Sequence, residues 1–170
     1  NGRGHRPVYR RIPKVEGKTI RIQQGLILKL LLLSISFGAE VCIKQLNNPF
    51  PEPYLTHALR NTVERAFLQA GAKLGCKEGT QEVNVAVLEL KDNPAGISPS
   101  QRVNVYELNL SFRLKFKDEE KDYGAKVSYF LSSGAEGDIG RRFAIDDALN
   151  IIYPKLLEDL MRRYKHADKL

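Results

Sequence analysis

From Tyr106 to Lys117 the chain reads Tyr-Glu-Leu-Asn-Leu-Ser-Phe-Arg-Leu-Lys-Phe-Lys, apolar and polar residues alternating without a break. Period two marks a strand with one buried face and one wet face. Parallel strands are usually covered on both sides, so the pattern predicts an antiparallel sheet with an open face. The apolar phase slips between Val105 and Tyr106, which predicts a β-bulge there. Asp118-Glu119-Glu120-Lys121 reads as a hairpin turn. The strand after it places Tyr123, Ala125, Val127 and Tyr129 on one face, with Lys126 and Ser128 on the other. An earlier strand runs from Gln81 to Leu90, and residues 91–101 read as a polar loop. A further strand is expected through Val41-Cys42-Ile43-Lys44-Gln45-Leu46.

Two segments carry the helical period instead. Pro53 suits a first helical position, where its missing N–H costs nothing. From Tyr54 to Ala70, Leu55, Ala58, Leu59, Val63, Ala66, Phe67 and Ala70 fall on one stripe, and Gly71 is a plausible stop. From Gly140 to Lys165 the stripe is Ile145, Leu149, Ile152, Leu156, Leu160 and Tyr164. Pro154 lies inside this second helix and is expected to kink it. Its basic last turn suits the negative end of the helix dipole. The order is β-α-β-β-β-α. The expected fold class is α+β, a two-layer sandwich with two amphipathic helices on one face of a mostly antiparallel four-stranded sheet.

The first 24 residues read as a basic extended arm, rich in Gly and Pro, and residues 25–170 as a single α+β domain. Residues 25–42 are an apolar, signal-like segment ending in Cys42, interrupted by Lys29 and too short to span a bilayer. They read either as buried strand or as a signal-like segment in an unexpected place.

A chain of 170 residues is long enough for a real core in one domain. The net charge of +7 favours anionic partners: nucleic acid, anionic lipid head groups or phosphorylated saccharides. Two cysteines, Cys42 and Cys76, allow one optional bridge and provide no metal motif. His5, His57 and His166 have no ligand spacing. No phosphate-binding loop, nucleophile elbow or zinc-protease motif is found, so neither an enzyme nor a metal or cofactor is expected. Asp146-Asp147 reads as a helix-start pair. The candidate binding residues are Arg113, Lys115 and Lys117 on the long strand, Lys126 on its neighbour, and Arg102 beside the polar loop. Nucleic-acid binders add exposed aromatics to such a face. Here Tyr106, Phe112 and Phe116 share the parity of the leucines, so they belong to the core.

Ile43-Lys44-Gln45-Leu46-Asn47-Asn48, with Glu52-Pro53-Tyr54-Leu55-Thr56-His57-Ala58-Leu59, resembles the first strand, Asn-containing turn and Glu-Pro helix start of the lipopolysaccharide-assembly lipoprotein family (LptE, rare lipoprotein B-like). Tyr106-Glu107-Leu108-Asn109-Leu110 resembles its middle strand, and Ala125-Lys126-Val127-Ser128-Tyr129-Phe130 the strand after it. The resemblance covers most of residues 43–165, and order and spacing carry it. It implies an outer-membrane lipoprotein on the periplasmic face that binds lipopolysaccharide and plugs a β-barrel partner, LptD. It places Lys126 at a lipopolysaccharide-binding position, with Arg102 a loose counterpart of a second. The family's processed chains begin Cys-Gly, and Asn1-Gly2 stands in that place here. The rival readings are a basic α/β RNA-binding module and a ligand-free periplasmic scaffold domain.

Overall fold

The computed structural model describes residues 39–97, 103–131 and 137–167. The elements in order are β1 (Glu40–Asn47), α1 (Pro53–Gln69), β2 (Lys73–Leu74), β3 (Gln81–Ile97), β4 (Val103–Phe116), β5 (Glu119–Phe130) and α2 (Gly137–Ala167). The arm and the signal-like segment up to residue 38 lie outside the described residues.

The α+β class holds, but the sheet has five strands, ordered β2-β1-β3-β4-β5, and it is mixed. β3, β4 and β5 form the antiparallel meander that the alternation predicts. β1 runs parallel to both β2 and β3. Parallel neighbours need a crossover, and α1 supplies it. The sheet curls as a half-barrel rather than lying as a flat layer.

The first helix starts at Pro53, the first helical position that the sequence suggests, and ends at Gln69, one residue before the expected Ala70. Asn48 organises the entry: Phe50 N–H donates to its Oδ1, and its Nδ2 donates to Glu52 O and Thr56 Oγ1, each at 3.0 Å. At the exit Gly71 takes φ +97°. Ala72 N–H then reaches Phe67 O at 3.0 Å and Gly71 N–H reaches Leu68 O at 3.1 Å, the Schellman arrangement that glycine permits.

β3 runs through most of the segment expected as loop. Beyond Ala86 it has no partner on its β1 side among the described residues, so the missing N–H of Pro94 breaks no ladder bond there. The bulge expected in β4 lies across the pair: Pro94 faces Tyr106, Gly96 faces Val105, and Ala95 is the extra residue, on β3. The hairpin turn is Lys117-Asp118, not Asp118–Lys121; Lys117 adopts φ 57° and Glu119 is already strand. α2 is longer than expected and passes through Pro154 as one helix.

Both helices pack on the apolar side of the sheet. Phe112, Leu114 and Phe116 of β4, with Leu59 and Phe67 of α1 and Ile145 and Leu156 of α2, are essentially inaccessible. Phe116 meets Phe67 edge-on, with ring centroids 5.1 Å apart, joining β4 to α1. Cys42 and Cys76 form a disulfide that ties β1 to the segment after β2. Cys42 is therefore a half-cystine inside a strand.

Candidate functional site

Alternation on β4 leaves Glu107, Asn109, Ser111, Arg113 and Lys115 on the side away from the helices. The registers assemble a face from three strands. Lys115 lies between Asn84 and Glu120, Arg113 between Ala86 and Asp122, Ser111 between Glu89 and Gly124. Asn109 lies between Lys91 and Lys126, and Glu107 between Asn93 and Ser128.

The basic residues expected on this face are there, but most are paired. Arg113 donates from Nε to Asp122 Oδ1 at 2.7 Å and from Nη2 to Oδ2 at 2.9 Å, a bidentate bond. That bond holds the Asp122 carboxyl below its ordinary range. Lys115 sits 3.3 Å from Glu120, which is also 4.0 Å from Arg113. The turn end of the face is thus a ladder of opposite charges, not a positive patch. Lys117 lies in the turn, its ammonium 5.4 Å from the Phe116 ring. Arg102 lies outside the described residues.

The less tightly paired part of the face is two rows further on. Lys126 is 71% exposed and only loosely held, 3.8 Å from Glu107. Lys91 is exposed and makes no ion pair among the described residues. Between them the Asn109 Oδ1 is sealed from solvent without a hydrogen-bond partner. A buried acceptor left unmet costs about 1–3 kcal/mol. Lys91 was hidden in the sequence by the loop reading of residues 91–101. The length of β4 was the available signal, because a strand starting near Val103 needs an equally long partner.

Asp146 and Asp92 are committed elsewhere. Asp146 lies well inside α2, not at its start, and accepts from the Tyr54 hydroxyl at 2.7 Å. That hydrogen bond, with burial and the carboxylate charge, raises the Tyr54 phenol. Asp92 accepts from Tyr129 at 2.8 Å and from Arg141 Nε at 3.0 Å, and Arg141 also pairs with Glu52. The cluster joins the start of α2 to β3, β5 and the entry to α1. Burial and the Asp92 bond raise the Tyr129 phenol far above its usual range. No group of three potential metal ligands occurs among the described residues.

No family model matches the chain. An uncharacterized protein of Aquifex aeolicus (strain VF5) is 34% identical over 135 residues, covering 79% of this chain and 94% of that protein. The chain belongs to that protein's family. Among solved structures, a minor lipoprotein from Acinetobacter baumannii is similar at 14% identity with a TM-score of 0.45, over 71% of this chain and 91% of that one. The rare lipoprotein B from Shewanella oneidensis is similar at 14% identity with a TM-score of 0.41, over 74% and 99%. Likenesses this distant say nothing about what the chain binds. No described helix is long and apolar enough to cross a membrane.

Proposed function

We propose that this chain is a cell-envelope binding protein that takes a phosphorylated saccharide, the head of lipopolysaccharide, on the outer face of β3, β4 and β5. In this reading it is an outer-membrane assembly protein, lipid-anchored on the periplasmic face, that supports a β-barrel partner of the LptD kind. The row Lys91–Asn109–Lys126 carries the reading. The backbones of Lys91 and Lys126 stand two strand spacings apart, about 10 Å, with Asn109 between them. Such a row suits an anion that also brings hydroxyl donors. The sequence resemblance supports it, since its motifs fall on β1, the entry to α1, β4 and β5. The Cys42–Cys76 disulfide suits an oxidising compartment such as the periplasm. An RNA-binding reading is less well supported, because Phe112 and Phe116 are buried rather than offered for stacking.

The test is titration of purified protein with lipid A, comparing K91E/K126E with R113E. The double reversal is expected to weaken binding at least tenfold, while R113E, whose guanidinium is already held by Asp122, changes it little. If lipid A does not bind, or both variants respond alike, the ligand part of the proposal falls. Recovery of a large β-barrel with the tagged chain from detergent-solubilised outer membrane would test the partner separately.

A further inference from the structure

Helix α2 is apolar on two opposite sides. One side, with Ile145, Leu149, Ile152, Leu156 and Leu160, is buried in the core. The other carries Ile139, Phe143, Ile151 and Met161, exposed by 53, 65, 59 and 39%. A helix that is apolar all round is normally covered all round, and a lone exposed stripe of this kind marks a contact surface. Pro154, Leu157 and Met161, with Glu158 and Arg162, line a shallow notch of about 480 Å³ on the same side.

We infer that this side of α2 is a self-association surface, covered by α2 of a second copy running antiparallel. The charges decide the occupant. Ile139, Phe143, Asp147, Ile151 and Lys155 follow one another at i,i+4 along one ridge. Asp147 and Lys155 stand four residues before and after Ile151, both are exposed, and neither makes an ion pair among the described residues. A two-fold axis through Ile151 places Asp147 of each copy against Lys155 of the other, twice over, with Ile151 on Ile151. The same axis brings Phe143 of each copy to the level of Asp159, at the Leu157–Met161 notch of the other. The ridge is thus self-complementary in charge and in shape. This inference does not rest on the proposed function.

A single helix pair lies at the small end of specific interfaces, so half-dimerisation is expected at about 10–100 µM. Sedimentation equilibrium of the intact chain, with its disulfide, checks this. D147K and K155D each break both copies of the pair and set like charges in their place, so each should weaken the dimer about tenfold, and D147K/K155D should restore it. I151C should couple to itself with a short bis-maleimide, while L68C, 52% exposed on α1, should not. A parent chain that stays monomeric throughout this range overturns the inference whatever the variants do. So does failure of the double swap to restore a dimer while circular dichroism shows it folded. A monomer that binds phospholipid vesicles through Phe143 would overturn it and give the stripe to a membrane surface.

Discussion

Replacing Lys121 by methionine isolates the ion pair under the β4–β5 hairpin. Asp159 is only 7% exposed, yet it is charged, because it pairs with Lys121 and accepts from the Tyr123 hydroxyl at 3.1 Å. Burial alone would raise its carboxyl. The hydrogen bonds from Lys121 and Tyr123 and the charges of Lys121 and Arg162 outweigh burial and hold it below the ordinary value. Removing one partner of a fully buried pair costs about 3–5 kcal/mol. Lys121 is 37% exposed, so water takes over part of its role, and about 1–2 kcal/mol is the appropriate figure. For a chain of this size that lowers Tm by about 2–8 °C at neutral pH. The pH dependence makes the reasoning specific. A carboxyl with a depressed folded-state pKa stabilises above its unfolded value, about pH 4. That contribution is lost as pH falls through the folded-state value. In K121M the carboxyl moves upward and its charge becomes a penalty, which protonation relieves. The Tm gap between parent and variant should therefore close between about pH 5 and 3. Differential scanning calorimetry across that window is the assay. A gap that stays constant from neutral pH to pH 3 would refute the argument and leave lost packing of the Lys121 stem as the cause.

Other perturbations test the core and the joints. F116A empties a site that is 1% exposed and touches Phe67 and Tyr164, so urea denaturation should show a loss of about 3–5 kcal/mol. G140A would place a Cβ 2.8 Å from the backbone oxygen of Phe130; α2 must shift off β5, with an expected loss of about 1–3 kcal/mol by the same assay. C42S/C76S removes a bridge across 34 positions and should cost about 2–4 kcal/mol, checked by denaturation and by free-thiol counting of the parent.

The sequence alone determined what depends on neighbours a few residues apart. Period two in β4 and β5 and period 3.6 in the helices named the buried side chains, because pleat and helical pitch set which residues share a face. Pro53 and Gly71 marked the ends of α1, because one lacks an N–H and the other tolerates positive φ. What it left open depends on partners far along the chain. Whether β1 runs parallel or antiparallel to β3 leaves no trace in its own alternation. Asp92–Gly96 carries loop-like residues, yet it is strand, because β4 offers a ladder and the opposite edge has none to break. The basic stripe of β4 was visible, but its neutralisation was not: moving the centre of the turn by two residues, from Glu119-Glu120 to Lys117-Asp118, is what sets Arg113 against Asp122 and Lys115 against Glu120. Cross-strand register is a tertiary fact, since a one-residue slip changes every pairing on the face. For that reason only the folded sheet could separate the tightly paired cations from Lys91, which makes no ion pair among the described residues, and from Lys126, held only loosely by Glu107.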